Sequence, residues 1–245
     1  GARHILLDVK VGAGAFMTTQ EEARTLAQTL IAIGRGAGRA VAALLTDMSQ
    51  PLGYAVGNAL EVREAIETLT PGRRVHPRFR ELCLRLAALG LRLCGLEPDE
   101  EAGYRHAQQL LDSGVALRKF RQMVEAQGGD PQVVDDPSRL PTAPILYEIA
   151  APTNGFVQAV HPRLIAFAAV QMGAGRQKKE DAIDHAVGIE VLKSVGDSVE
   201  QGEPVLCVHA RTEARLQAVL PTLEQAVAIS PSPVEPTPVV LERLE

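Results

Sequence analysis

Aromatic residues make up only 3% of the 245 residues and tryptophan is absent, so ring platforms for stacking single-stranded nucleic acid are not expected. Positive charge is in deficit: 25 Lys and Arg face 30 Asp and Glu, a net charge of -5. That balance argues against electrostatic capture of nucleic acid or of an anionic membrane. No apolar run approaches the length of a membrane span, and Ile5-Leu6-Leu7 near Gly1 is too short and wrongly flanked for a signal peptide. The three cysteines, Cys83, Cys94 and Cys207, form no Cys-x-x-Cys pair and leave an odd thiol over, which suits a reducing compartment better than a disulfide framework. Histidines are scattered, with no two spaced i, i+4 on one helical face, so a dedicated transition-metal site is not expected. The expectation is a soluble, cytoplasmic chain with neither nucleic acid nor membrane as partner. Hydrophobic residues, by contrast, reach 46%, enough to bury the core of one large or two ordinary domains.

The opening reads as strand, helix, strand. Ile5 to Val11 is a short apolar, β-branched run closed by Gly12-Ala13-Gly14, as expected of a buried strand ending in a turn. Thr19 and Glu22 have capping-box spacing, and Ala23, Leu26, Ala27, Leu30 and Ile31 follow at helical spacing. Gly34, Gly36 and Gly38 end that helix before a second apolar strand, Ala40 to Thr46. Such a βαβ unit requires a parallel sheet. Asn58 is placed to cap a helix running towards Leu69. Leu82, Leu86, Leu89, Leu93 and Leu96 form a stripe between Pro77 and Pro98, Pro98 suits the first turn of a further helix, and Ser113 suits the cap of the next, which ends at Gly128-Gly129.

From Pro141 the texture changes to short β-like runs, Ala143 to Ala150, Gly155 to Val160, Leu164 to Val170, Gly188 to Leu192 and Pro204 to Ala210. The proline-rich tail from Ser230 to Pro238 is expected to be extended or an edge element. The fold class is therefore α/β: a partial parallel sheet with helical cover, followed by a small C-terminal α+β domain. The division runs 1–129 for the α/β domain, 130–141 for a linker and 142–245 for the C-terminal domain.

Three features invite a chemical reading. Gly12-Ala13-Gly14 after a strand would let backbone donors approach a phosphate, yet Met17 stands where a dinucleotide fingerprint needs its third glycine. A plain turn is the commoner use of such a loop. Glu61 and Glu64 lie one helical turn apart beside the irregular Pro51 to Val56 loop, where a carboxylate and loop carbonyls would suit a hard cation. The ordinary reading is a solvated helix face. Gly188 to Gly202, followed by Pro204-Val205-Leu206, has the look of a lipoyl or biotinyl carrier. Lys178, Lys179 and Lys193 lack the context of a modified lysine, so this module reads as structural, with Gly196-Asp197 supplying a turn.

The runs Asp8 to Met17 and Thr46 to Val62, together with Met172-Gly173-Ala174-Gly175-Arg176 and Lys179 to Asp184, resemble signature segments of the thymidine and pyrimidine-nucleoside phosphorylases. The resemblance covers nearly the whole chain, with the motifs in family order. It implies a pentosyltransferase of nucleoside salvage, a homodimer in which inorganic phosphate attacks the anomeric carbon of a pyrimidine nucleoside to give base and pentose 1-phosphate. It also implies a C-terminal module resembling a barrel-sandwich hybrid.

By that resemblance Phe16 is substrate-binding, packing on the pyrimidine, while Leu52, Ala55 and Glu64 are metal ligands of a potassium ion, the first two through carbonyl oxygens. The family's phosphate loop, its base-holding Arg, Ser and Lys, and much of its dimer contact lie in segments upstream of anything matched here, so no catalytic residue is assigned. The expectation is that this chain is inactive alone and needs that N-terminal portion. It is also expected to show apolar surface where further strands would pair. The alternative from a different class is a non-catalytic binding or assembly module built on the same scaffold.

Overall fold

A computed structural model describes residues 1–73 and 75–245. In chain order its elements begin with β1 (His4–Val11), α1 (Gln20–Gly36), β2 (Ala40–Asp47), β3 (Ala55–Gly57) and α2 (Asn58–Leu69). Helices α3 (Pro77–Leu93), α4 (Glu100–Asp112), α5 (Val115–Ala126) and α6 (Gln132–Asp135) follow. The last part holds β4 (Ile145–Ala150), β5 (Gly155–Val160), α7 (Pro162–Met172), β6 (Gly188–Val191) and β7 (Ser198–Val199). It ends with β8 (Pro204–Ala210), α8 (Glu213–Leu223), β9 (Val227–Ser230) and β10 (Val240–Leu244).

These elements sort into two compact units: Gly1–Ser49, Thr68–Lys119 and Thr237–Glu245 form the first, and Gln50–Glu67 and Phe120–Pro236 the second. By contact, residues 50–67 and 120–129 group with the C-terminal part, and residues 237–245 with the first unit. The segment 130–141 carries α6 and a 3-10 turn, Pro137–Arg139, with Arg139 donating to Asp130 at 3.0 Å.

In the first unit β1 and β2 pair in parallel from His4↔Ala40 to Val11↔Asp47. The connection is α1, whose Thr19–Glu22 capping box is formed on both sides and supplies partners to amides that the first turn leaves free. Ala23, Ala27 and Ile31 face the sheet and are buried with Val9, Val11, Val41, Ala43 and Leu45; small residues there let helix and sheet approach closely. The opposite face packs Ala42 and Leu44 with Leu89 of α3, and with the half-buried Leu6, Leu86 and Leu93. The leucine stripe thus works as a core face, except that Leu96 lies past the helix end and is 68% exposed.

Two local details differ from the sequence pattern. Ser113 does not cap α5; its hydroxyl donates to the Leu110 carbonyl at the end of α4, and Gly114 makes the turn. The chain after the proline-rich tail forms β10, which pairs antiparallel with the other side of β2, so the sheet order is β1-β2-β10. Among the described residues β1 has β2 as its one strand neighbour, with an isolated bridge from Val11 to Met17 besides.

The second unit holds a four-stranded antiparallel sheet, β3-β6-β8-β4, and a three-stranded one, β7-β5-β9. One core joins them: Val157 and Val160 from β5, Ile189 and Val191 from β6 and Leu206 and Val208 from β8 pack with Ile165 and Met172 of α7 and Leu216 and Leu223 of α8. The run Leu164 to Val170, read from sequence as β-like, is instead inside α7. Its buried positions, Pro162, Ile165, Ala168, Ala169 and Met172, repeat at the helical period, with proline in the first turn and left-handed Gly173 closing the end. A run of seven apolar residues does not by itself distinguish the two periods. No helix of the described residues is long and apolar enough to cross a membrane.

Candidate functional site

Because β1 and β2 are parallel, both deliver the chain at the same end of the sheet, where open α/β folds hold their ligands. The Gly12–Met17 loop leaves β1 there. Gly12 has φ +117, and a Cβ on it would lie 2.9 Å from the Ser49 backbone nitrogen, so only glycine fits without strain. The loop is closed by its own main chain: Gly12 N–H donates to Met17 O at 3.0 Å, Ala15 N–H to Gly12 O at 3.0 Å, and Gly14 N–H to Met48 O at 2.8 Å. Met48 N–H returns a bond to Val11 O at 2.7 Å. With these three donors spent on carbonyls, Gly12, Gly14 and Ala15 have the construction of a turn. It projects the Phe16 ring, which is 98% exposed.

Beneath the loop, Asp47 is 5% exposed. Its carboxylate accepts from the Ser49 amide at 3.2 Å and the Ser49 hydroxyl at 2.9 Å, and pairs with Arg78 at 2.7 Å. Arg78 also donates to the Thr237 carbonyl, and Asp47 N–H donates to Val239 O at 2.9 Å. Asp47 is thereby fully engaged in fixing the end of β2. Lys10, the nearest cation along β1, is taken up by Asp8 at 2.6 Å, and Asp8 also accepts from the Thr46 hydroxyl at 2.5 Å.

Leu52, Ala55 and Glu64 belong to the second unit, and the structure brings Glu64 against Ala55. The Glu64 carboxylate reaches from α2 to the loop before β3 and accepts Tyr54 N–H at 2.7 Å and Ala55 N–H at 3.0 Å. Burial raises its pKa, against the pull of those two amides, and Glu61 and Glu67 add to the rise. A half-buried carboxylate raised in this way is one that a cation would stabilise. Carboxylate and main-chain oxygens are the donor set a hard cation such as potassium takes, and the Glu64 carboxylate with the carbonyls of this loop is of that chemical kind.

The two glutamates differ: Glu64 is half-buried, whereas Glu61 is exposed and accepts the Gly57 N–H at 2.9 Å, so capping α2. Asn58, expected in that role, instead donates from Nδ2 to the Ala174 carbonyl at 2.7 Å. Phe16 belongs to the first unit.

The region that looked like a carrier module has no lysine presented for modification. Lys193 is paired with Glu203, and the turn is held by Ser194 N–H donating to Asp197 at 2.8 Å.

A parallel α/β unit with a glycine loop at its carboxyl end, joined to a two-sheet module, defines a class that sequence comparison identifies independently. Residues 1–117 match the glycosyl transferase family a/b domain, and residues 156–230 match the pyrimidine nucleoside phosphorylase C-terminal domain. The chain is 40% identical over 245 residues to a pyrimidine-nucleoside phosphorylase of Geobacillus stearothermophilus, covering 100% of this chain and 56% of that protein. It is 44% identical over 214 residues to that of Bacillus subtilis, covering 87% of this chain and 49% of the relative. For the Staphylococcus haemolyticus protein the values are 42% over 237 residues, 97% and 54%. The chain belongs to the pyrimidine-nucleoside phosphorylase family of pentosyltransferases and spans about half the length of the curated relatives it matches.

Proposed function

We propose that this chain serves the reversible phosphorolysis of a pyrimidine nucleoside or deoxynucleoside, as the part of a phosphorylase that supplies scaffold and pocket wall while residues outside it grip phosphate. The observation that carries this reading is the Gly12–Met17 loop: Gly12, Gly14 and Ala15 give their amides to main-chain carbonyls of Met17, Met48 and Gly12, and the loop presents one apolar ring, Phe16, to solvent. Such a loop can pack against a pyrimidine face, while three of its amides are spent on carbonyls rather than offered to phosphate. Attack of phosphate on the anomeric carbon needs the anion held in line and the departing base neutralised, and both tasks fall to the complementary portion. Potassium, held by the Leu52 and Ala55 carbonyls and the Glu64 carboxylate, would supply a fixed positive charge and tie the loop before β3 to α2. The assembled enzyme is a cytoplasmic homodimer in this reading, which rests on the family resemblance.

The test is a phosphorolysis assay with thymidine and uridine, run on the chain alone and after mixing with the N-terminal portion of the Geobacillus relative, with and without potassium. No release of free base by the chain alone, and potassium-dependent release by the mixture, is the expected result. Phosphate-dependent release of base by the isolated chain would overturn the reading. Failure of a stably formed mixture to turn over would favour a non-catalytic binding or assembly module instead.

A further inference from the structure

On the four-stranded sheet of the second unit, Glu190 of β6 and Cys207 of β8 are direct cross-strand partners, and His209 stands two residues beyond Cys207 on β8. Direct partners share a face of the sheet, as do residues i and i+2. All three side chains therefore share one face, opposite the core residues Ile189, Val191, Leu206 and Val208. A carboxylate oxygen, the Cys207 sulfur and an imidazole nitrogen all lie within 4.8 Å of one another, the one such group among the described residues. His209 Nε2 is 2.9 Å from Glu190 Oε2. Cys207 is a free, buried thiol, whereas the Glu190 side chain is 38% exposed, so the group opens towards solvent on the Glu190 side.

We propose that Glu190, Cys207 and His209 form a binding site for a single zinc-class divalent ion, with three protein ligands and one coordination position left to water. Thiolate, imidazole and carboxylate form a donor set for a borderline-soft metal; magnesium and calcium take oxygens instead. Metal bonds of about 2.0–2.3 Å to such atoms put tetrahedral ligands about 3.3–3.8 Å apart, which side-chain adjustments of about 1 Å reach from the present arrangement. Ligation needs the Cys207 thiolate and a neutral His209 imidazole, so metal binding is coupled to proton release and strengthens as pH rises.

Cobalt(II) titration of the full chain tests this, using a C83S/C94S background so that Cys207 is its one thiol, with equilibrium dialysis for stoichiometry. The expected result is a single ion per chain, a thiolate-to-cobalt charge-transfer band with the strong visible absorption of tetrahedral cobalt, and displacement by zinc. Cys207→Ser should abolish the band, and His209→Gln and Glu190→Gln should each weaken binding by about tenfold or more. Should Cys207→Ser fail to fold, the other two variants decide. Absence of the band in the C83S/C94S chain, or affinity unchanged in both His209→Gln and Glu190→Gln, overturns the site and leaves the three residues a hydrogen-bonded group without an ion.

Discussion

A Cβ placed on Gly53 would fall 2.5 Å from Oε2 and 2.6 Å from Oε1 of Glu64, so the loop backbone rests directly on that carboxylate. The oxygens are not loose ends, because the Tyr54 and Ala55 amides bind both of them. Gly53→Ala must push the carboxylate off these amides and is expected to cost about 1–3 kcal/mol in urea unfolding. Glu64→Ala removes the same bonds. In a double-mutant cycle the two losses should therefore fall well short of additive; full additivity would mean that the loop does not rest on Glu64.

The Asp47–Arg78 pair has side chains only 6% and 13% exposed. Removing the guanidinium leaves a buried carboxylate with the two Ser49 donors alone. Arg78→Ala is expected to lower stability by about 3 kcal/mol. Arg78→Lys should recover only part of this, since a lysine does not reproduce the fork that also reaches the Thr237 carbonyl. A loss below about 1 kcal/mol would place the pair in solvent-like surroundings.

Legibility in the sequence follows the range of the interaction. The Thr19–Glu22 box and the stripe from Leu82 to Leu93 are local, periodic signals, and both elements stand where the pattern puts them. Leu164 to Val170 is too short and too uniformly apolar for period to separate strand from helix, and Pro162 was the clue to α7. The pairing of β10 with β2 joins opposite ends of the chain, for which no local signature exists. In the candidate site, spacing alone makes Glu61 and Glu64 look alike; their separate partners, the Gly57 amide and the Tyr54 and Ala55 amides, depend on how the preceding loop folds back. Cys207 and His209 show the alternation of one strand face, but the third member, Glu190, is set by strand register, which composition does not reveal.

Phe16 separates stability from function. With its ring 98% exposed, Phe16→Ala should leave the unfolding free energy within about 0.5 kcal/mol of the parent. If the ring packs on the base, the loss of about 1–1.5 kcal/mol of aromatic contact should raise the KM for nucleoside about tenfold in the enzyme assembled with its complementary portion. An unchanged KM would remove Phe16 from the pocket.

Asp184 gives a stability test with a definite sign in pH. Its carboxylate is held by Arg211 through bonds of 2.7 and 2.8 Å and accepts the Ala186 N–H at 3.1 Å. Arg211 pulls its pKa below the ordinary 3.8, with burial opposing. A depressed folded-state pKa means that the ionised carboxylate favours the folded chain at pH above the unfolded value, and that this contribution fades as pH falls through the lower folded one. Because Arg211 is 46% exposed, solvent screening limits the contribution to about 1 kcal/mol. Asp184→Asn should thus be less stable than the parent by that amount at about pH 6, with the gap closing as the pH is taken down through the acid range and the parent carboxyl takes up its proton. Urea midpoints of the two chains across this range measure it, and a gap that stays constant or widens in acid would show that Arg211 does not hold the ionised carboxylate.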